Sequence, residues 1–409
     1  MAKTFHIMTY GCQMNENDSE MVATMMDRMG FAEASTYKEA DYIFLNTCSI
    51  REYAETRVHG KLGELKTLQA NRPSLRIAVM GCMPQLHKES LKKHFPYINM
   101  IFGTQNIHHL PQLVSRSESG EDFVYEILDN RQQLGPRLAT ELKQEWLDEA
   151  PWKRKTEKQA WVRVMYGCDK FCSFCIVPTT RGKEMSRSKE EILNEVANLD
   201  KSKHSEVVLL GQNVNGYGKG LYKDYDLGDL MLEIAKMDGI EKVDFLTSHP
   251  NHMTEHLIDC IAAEPKITRL IHLALQSGDD HILKVMNRKH SMAEFKSIID
   301  RLRAKIPGVR ISTDLIVGFP GETEAQFQAT CQAVIDSQFI RCNTAIFSAR
   351  PGTPAADLPD QISEAEKSRR LQVLMQVCDR VKREVKRNLL TAAGNKFTQP
   401  SPHLSASSL

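Results

Sequence analysis

Three closely spaced cysteines are the strongest chemical signal in this sequence. Cys168, Cys172 and Cys175 follow one another with the spacing C-x3-C-x2-C. Three thiolates can hold three irons of a cubane 4Fe–4S cluster and leave the fourth iron open to a substrate, whereas a fully ligated cluster only passes electrons. The spacing therefore predicts an iron–sulfur site with one open coordination position.

Two other chemistries also use closely spaced cysteines. A C-x2-C pair is typical of zinc knuckles and of thiol redox pairs. Zinc needs a fourth Cys or His nearby, and the closest downstream histidines, His204 and His249, lie far outside a knuckle. We therefore favour the iron–sulfur cluster and keep zinc binding and thiol redox chemistry as alternatives.

The composition is that of an ordinary globular protein. The 409 residues are 41% hydrophobic, and 53 basic against 52 acidic residues give a net charge of +1. This length predicts two or three domains, and the charge balance does not indicate a strongly basic nucleic-acid binder. The start of the chain lacks an apolar signal core, and no run approaches about 18 apolar residues. We expect a cytoplasmic protein without membrane segments, whose ten cysteines serve metal binding or catalysis rather than disulfides.

Three further cysteines each follow a short apolar run of strand length. Cys12, Cys48 and Cys82 come directly after the predicted strands Phe5–Tyr10, Tyr42–Thr47 and Ile77–Gly81. Predicted helices, 19–29 and 52–68, separate these strands. Because the carboxyl ends of parallel strands share one edge of an open sheet, the three thiols are predicted to converge there. The alternative is three unrelated buried small side chains.

A second series of strands begins after a polar stretch. Its six predicted strands are Trp161–Tyr166, Glu206–Leu210, Lys242–Thr247, Leu270–Leu275, Val309–Val317 and Asn343–Phe347. Capping-box signals at Ser188, Ser291 and Thr323 predict helices between them. The predicted fold class is α/β, with an N-terminal open parallel α/β domain followed by a partial (βα)6 barrel. The predicted segments are residues 1–115, an interdomain stretch 116–158, the barrel 159–388, and a tail 389–409.

The whole pattern resembles one enzyme family. The cysteine spacing of the barrel resembles the radical S-adenosylmethionine (SAM) enzymes, and the N-terminal domain with dispersed cysteines is similar to the methylthiotransferases, over roughly residues 1–388. Within that family, the runs 11–15 and 46–52 resemble the tRNA branch that acts on isopentenyladenosine. So do the runs 211–215 and 347–354. Sister branches that act on threonylcarbamoyladenosine or on a ribosomal-protein aspartate usually read differently after the second cysteine.

The resemblance implies two 4Fe–4S clusters and SAM as cofactors. Cys168, Cys172 and Cys175 would hold the SAM cluster. Cys12, Cys48 and Cys82 would hold an auxiliary cluster that carries the inserted sulfur. One SAM would methylate that sulfur, and a second would supply a radical that removes hydrogen from carbon 2 of isopentenyladenosine at position 37 of tRNA. The implied partners are the tRNA anticodon loop and an electron donor such as flavodoxin or ferredoxin. The alternatives are a sister substrate, or a truncated chain that binds cluster and SAM with poor tRNA activity.

Polar residues after the barrel strands are candidates for binding SAM. SAM needs an acid or amide for its amino group, a cation for its carboxylate, and hydrogen bonds for its ribose. The candidates are Arg187, Gln212, Gln276, Ser277 and Asp314. Each of them could equally be a polar residue that satisfies a loop.

The C-terminal part departs from the family pattern. Family members carry a β-barrel RNA-binding (TRAM) module, whereas here a basic amphipathic helix, 364–387, precedes a Ser/Pro-containing tail that is predicted to be disordered. We expect the module to be absent and tRNA to be held with the help of basic side chains on that helix. These are Lys367, Arg369, Arg370, Arg380, Lys382, Arg383, Lys386 and Arg387.

Overall fold

The computed structural model describes most of the chain. The described residues are 2–49, 52–128 and 152–392. They form two compact units, and each unit combines two separate stretches of the sequence. The first contains residues 2–169 and 176–212, and the second contains residues 170–175 and 213–392. The domain limits given above remain predictions.

A six-stranded parallel sheet forms the N-terminal part of the first unit. Its strands are β1 (Thr4–Tyr10), β2 (Ala32–Glu33), β3 (Tyr42–Thr47), β4 (Arg76–Gly81), β5 (Met100–Gly103) and β6 (Val124–Glu126), in the spatial order β2-β1-β3-β4-β5-β6. The three predicted strands correspond to β1, β3 and β4. β3 is buried along its whole length, as expected for a strand covered on both faces. The shorter strands β2, β5 and β6 were not predicted, and β6 lies within the stretch assigned to the interdomain segment.

Helices cover this sheet and form two apolar cores. They are α1 (Gln13–Arg28), α2 (Glu52–Asn71), α3 (Cys82–His87), α4 (Ser90–His94) and α5 (Leu110–Glu118), with a 3-10 turn at Ile107–His109. The prediction of a helix starting at Ser19 was wrong, because α1 begins six residues earlier. The backbone N–H of Cys12 donates to Asn15 Oδ1 at 3.2 Å and caps this earlier start.

The rest of the first unit contains the beginning of the barrel sequence. Its elements are β7 (Gln159–Arg163), β8 (Met165–Tyr166), α6 (Val177–Arg181), β9 (Met185–Ser186), α7 (Lys189–Ala197) and β10 (Glu206–Leu210). β7 and β10 are parallel, as predicted. The predicted strand Trp161–Tyr166 is divided, because Met165 and Tyr166 pair antiparallel with β9 instead of continuing β7.

The second unit continues the alternation of strands and helices. Its elements are α8 (Leu227–Ala235), β11 (Lys242–Phe245), α9 (Glu255–Ala263), β12 (Leu270–His272), α10 (Asp280–Val285), α11 (Met292–Lys305), β13 (Arg310–Val317), α12 (Glu324–Ser337), β14 (Arg341–Ile346) and α13 (Glu364–Ala392), with 3-10 turns at Val214–Gly216, Pro250–His252 and Pro354–Asp357. β12, β13 and β14 form a parallel sheet. The predicted capping boxes at Ser291 and Thr323 are both present. The α/β fold class with parallel sheets is thus confirmed.

The last helix is longer than the sequence predicted. α13 continues to Ala392, beyond the predicted end at Arg387. The rest of the predicted disordered tail, from residue 393 onward, lies outside the described residues. None of the helices in the described ranges combines the length and apolar composition needed to cross a bilayer.

Candidate iron–sulfur and SAM sites

The three N-terminal cysteines lie at one edge of the six-stranded sheet. Cys12 and Cys48 follow β1 and β3, and Cys82 begins α3 directly after β4. The strand register aligns Tyr10 with Thr47 and Thr47 with Gly81, so the three neighbouring strands end side by side. The structure therefore brings these residues to a common edge. Cys48 and Cys82 are buried, whereas Cys12 is partly exposed.

Side-chain hydrogen bonds fix the loops that carry Cys12 and Cys48. Asn15 Nδ2 donates to Asn46 Oδ1 at 3.0 Å and to the Thr47 carbonyl at 3.2 Å. Asn46 Nδ2 donates in return to the Asn15 carbonyl at 2.7 Å. Both asparagines are fully buried. This reciprocal pairing joins the start of α1 to the end of β3, next to the two cysteines.

A buried charge network adjoins Cys82. The Arg181 guanidinium acts electrostatically on the Cys82 thiol, and its Nη2 donates to Asp18 Oδ2 at 2.9 Å. Arg163 also pairs with Asp18, which is fully buried. Burial raises the pKa of the Cys82 thiol, and the Arg181 guanidinium opposes this shift. Sequence reasoning missed Asp18 because nothing in the sequence distinguishes it from other polar residues of a helix. Its role depends on Arg181, which α6 brings close to α3.

Cys168 lies beside the β8–β9 hairpin of the first unit. Its backbone N–H donates to the Gly182 carbonyl at 3.1 Å. The preceding Gly167 has φ +61°, and a Cβ at this position would lie 2.0 Å from the Lys183 carbonyl oxygen. Only glycine fits such a close backbone approach. The local fold therefore requires the glycine that precedes the first cysteine of the triad.

Cys172 and Cys175 lie in a short segment that packs within the second unit. The Cys175 N–H donates to the Cys172 carbonyl at 3.0 Å, and the Ser173 N–H donates to the Met286 carbonyl at 3.0 Å. Arg288 Nη1 donates to Cys172 Sγ at 3.4 Å. A cationic donor directed at this sulfur suits a thiolate ligand better than a neutral thiol.

The thiol groups fit the cluster that the sequence predicted. All ten cysteines are free thiols. Cys168 and Cys172 are buried, Cys175 is partly exposed, and three such donors suit a 4Fe–4S cluster. A closed structural zinc site would need a fourth protein ligand, and the sequence offered no Cys or His nearby. The assignment of the six cysteines as metal ligands remains a prediction.

Two predicted SAM-binding residues belong to the first unit. Arg187 Nη1 already donates to the Arg163 carbonyl and to Glu195 Oε2, both at 2.7 Å. Gln212 lines a pocket together with Tyr166 and Arg181, and its buried Oε1 has no hydrogen-bond partner. Gln212 is thus better placed than Arg187 to receive a ligand group.

The other three predicted SAM-binding residues belong to the second unit. Gln276 has φ +82° and bridges to Leu315. Ser277 is fully buried, and its Oγ accepts from the Asp279 N–H at 3.3 Å. Asp314 pairs with His272 Nε2 at 3.1 Å. The side chain of Ser277 is therefore already used in a hydrogen bond within the fold. The SAM contacts of all five residues remain predictions.

Two buried imidazoles, His249 and His290, and the half-buried imidazole of His252 form a feature that the sequence analysis did not predict. Burial lowers the pKa of His249 to about 2 and those of His252 and His290 to about 4, and the charge of Arg288 or Lys170 adds to each shift. Lys170 Nζ lies 2.6 Å from His252 Nε2. These histidines are therefore neutral at physiological pH. The contact of His290 with His249 could not be found in the sequence because these two residues come from different loops.

The basic C-terminal helix is less available than predicted. Lys367 and Arg370 are buried; Lys367 pairs with Glu364, and Arg370 with Glu322 and Glu366. The expectation that these two side chains contact tRNA was therefore wrong, because the helix uses them to dock within its own unit. Arg383, Lys386 and Arg387 are exposed.

Comparisons with known proteins match both halves of the sequence. Residues 4–103 match a family described as "Uncharacterized protein family UPF0004", and residues 162–334 match the radical SAM superfamily. The chain is 41% identical to the tRNA-2-methylthio-N(6)-dimethylallyladenosine synthase of Thermoanaerobacter pseudethanolicus, over 93% of this chain and 79% of that protein. It is 45% identical to the synthase of the same name from Shouchella clausii, over 90% and 69% of the two chains.

Solved structures of radical SAM enzymes share the fold. The methyltransferase TsrM from Kitasatospora setae superposes with a TM-score of 0.62 at 12% identity, over 87% of this chain and 75% of that one. The cobalamin-dependent enzyme OxsB superposes with a TM-score of 0.55 at 11% identity, over 93% and 56%. At these identities the likeness concerns the fold alone.

Proposed function

This chain belongs to the family of tRNA-2-methylthio-N(6)-dimethylallyladenosine synthases, and we propose that it replaces the hydrogen on carbon 2 of N6-isopentenyladenosine, at position 37 of tRNA, with a methylthio group. The observation that carries the proposal is the presence of two separate cysteine triads on one chain. One follows three neighbouring strands of the N-terminal sheet, and the other lies in the radical SAM sequence.

The two triads divide the cofactors between them. The radical SAM region indicates a 4Fe–4S cluster and SAM, which we assign to Cys168, Cys172 and Cys175. When bound, this pair supplies the one-electron chemistry that removes hydrogen from an unactivated carbon. A second 4Fe–4S cluster, on Cys12, Cys48 and Cys82, is our proposal for the site that delivers sulfur.

In this proposal, the side chains of the protein bind SAM and hold the loops around it in place. Gln212 offers an unpartnered buried oxygen to SAM, and Gln276 and Asp314 offer further polar groups. Arg187 and Ser277 would act mainly by holding their loops, since their side chains already have partners in the fold. An aromatic C–H is too weakly acidic for a general base to remove its proton, and in the proposed reaction the hydrogen on carbon 2 is removed by a radical instead. The buried neutral histidines are therefore not assigned the role of a general base.

The proposed function also implies partners and a location. The substrate would be the anticodon loop of tRNA, with Arg383, Lys386 and Arg387 as exposed phosphate contacts. A small redox protein such as flavodoxin or ferredoxin would supply electrons. Both partners are found in the cytoplasm, where we place the protein.

Mass spectrometry of nucleosides from cellular tRNA tests the proposal. Cells that lack the protein should accumulate isopentenyladenosine, and cells that regain it should contain the 2-methylthio derivative. The matched control is the Cys48→Ala protein, which should not restore the modification. A change in threonylcarbamoyladenosine instead, or no change in any tRNA nucleoside, would move the assignment to one of the sister activities.

A further inference from the structure

Arg288 links the cysteine segment to the loop between α10 and α11. Its guanidinium is buried, with 8% of the residue exposed. Nη1 donates to Cys172 Sγ at 3.4 Å, and Nη2 donates to the Ala274 carbonyl at 2.7 Å. The same loop holds the neighbours of Cys172, because Asn287 Nδ2 donates to the Phe171 carbonyl at 2.8 Å. Arg288 thus adds a charged contact to these otherwise neutral hydrogen bonds.

No carboxylate of the described residues pairs with the positive charge of Arg288. Its hydrogen bonds within the described ranges go to a carbonyl and a sulfur, and its buried Nε has no partner. The nearby His249 and His290 are held neutral, because burial, and after it the charge of Arg288, lowers their pKa values to about 2 and about 4. A buried unpaired cation is costly. An anion at Cys172 would offset that cost, and a ligating thiolate is such an anion.

The first unit offers an instructive contrast. The charge of Arg181 also acts on a cysteine thiol, that of Cys82, but this charge is paired with Asp18 at 2.9 Å. An arginine that is neutralised by a carboxylate changes the local potential less than one that is not. The unpaired guanidinium beside Cys172 is therefore the stronger electrostatic influence on a bound cluster.

We propose that Arg288 is a positioning residue that holds Cys172 and raises the reduction potential of the cluster bound there. The proposal rests on the proposed function, in which Cys172 is a cluster ligand. Reduction adds one negative charge to the cluster. A cation and an N–H···S hydrogen bond stabilise the more negative state, and hydrogen bonds to sulfur are among the factors that set cluster potentials. Arg288 would thus make the electron easier to deliver before SAM is cleaved.

Potentiometric titration of the full-length, reconstituted protein tests this role. The cluster signal is followed by electron paramagnetic resonance, and the SAM cluster is the one whose signal changes when SAM is added. Arg288→Met should keep its iron. Its midpoint potential should be lower by about 59 mV, which corresponds to a tenfold change in the equilibrium constant of a one-electron reduction. Arg288→Lys, which keeps the charge and loses the planar fork, should fall between wild type and Arg288→Met.

Arg303→Met is the matched control. Arg303 is an exposed arginine of α11 that donates to the Ser337 carbonyl and not to a thiol. Its loss should leave the potential unchanged. If Arg288→Met loses its iron, the lysine variant decides: a potential below that of wild type supports the proposal, and a wild-type potential overturns it. An unchanged potential in an iron-replete Arg288→Met protein also overturns it.

The failure of the proposed function would look different. If Cys172→Ala retained all the iron of the wild type, Cys172 would not be a ligand and the cluster assignment itself would fall. If Cys172→Ala loses iron while the potential of Arg288→Met equals that of wild type, the proposed function is retained and only the role proposed for Arg288 is rejected.

Discussion

The Asp18 carboxylate, fully buried in α1, accepts a hydrogen bond from Arg181 at 2.9 Å and so holds a guanidinium beside Cys82. The same carboxylate pairs with Arg163. One acidic residue therefore balances two buried cations next to the N-terminal cysteines. Such a shared partner makes the network sensitive to the loss of a single charge.

Replacement of Asp18 by Asn should strongly destabilise the first unit. The side chain keeps its shape but leaves Arg163 and Arg181 buried without a counter-charge, which costs about 3–5 kcal/mol. Denaturant unfolding of wild type and variant measures the difference. The control is Asp200→Asn, which removes an exposed pair with Lys203 and should leave stability unchanged. Equal stability of Asp18→Asn and wild type would contradict the assigned network.

Replacement of Gly167 by Ala should displace Cys168. The new Cβ would stand 2.0 Å from the Lys183 carbonyl oxygen, and the backbone has φ +61°. We expect a loss of about 3 kcal/mol or more in unfolding free energy, together with reduced iron binding. Gly220→Ala is the control, since Gly220 has φ +79° with no atom within 4 Å of the added Cβ. It should cost only about 1 kcal/mol. Similar effects at the two sites would rule out steric crowding at Gly167.

The buried histidines predict an acid-sensitive fold. The pKa of His290 is lowered from 6.5 to about 4, chiefly by burial, so the unfolded chain binds the proton more readily than the folded one. The contribution of neutral, buried His290 to the free energy of unfolding is present above pH 6.5, and it is lost as the pH falls from 6.5 towards 4. At pH 5.5 the loss attributable to His290 is about 1 kcal/mol.

His290→Leu tests this pH dependence, because both ring nitrogens of His290 lack hydrogen-bond partners. The variant should match wild type in unfolding free energy at pH 7.5 and exceed it at pH 5.5. If both proteins lose the same stability between these two pH values, His290 does not contribute to the acid sensitivity.

The cysteine arrangement was predictable because it depends on local patterns. Apolar runs ending in a cysteine gave the positions of β1, β3 and β4, and parallel strands share a carboxyl edge. The capping boxes at Ser291 and Thr323 located α11 and α12 for the same reason. The start of α1 was missed because its cap involves Cys12 and Asn15, which are not a common capping pair.

The partners of the polar residues could not be predicted in the same way. Arg187 looked available for a ligand, but Glu195 on α7 pairs with it. Lys367 and Arg370 looked like solvent-facing charges of an amphipathic helix, but packing buries both. Arg288 lies 116 residues from Cys172, and no sequence spacing indicates such a contact. Long-range pairing depends on tertiary packing, which local pattern does not encode.

Iron analysis separates the two cysteine triads. Anaerobically reconstituted wild-type protein should bind about eight irons, and the triple replacement of Cys168, Cys172 and Cys175 by Ala should leave about four, as two 4Fe–4S clusters require. The complementary replacement of Cys12, Cys48 and Cys82 should also leave about four. About four irons in the wild type, or zinc in their place, would contradict the two-cluster account.

The most direct test of the account compares Cys48→Ala and Cys172→Ala in one reaction. Each protein is reconstituted, reduced and incubated with SAM and tRNA that carries isopentenyladenosine, and both 5′-deoxyadenosine and the methylthio nucleoside are quantified by mass spectrometry. We predict that wild type forms both, Cys48→Ala forms only 5′-deoxyadenosine, and Cys172→Ala forms neither. Formation of methylthiolated nucleoside over multiple turnovers by Cys48→Ala would contradict the central claim that the N-terminal triad delivers the sulfur.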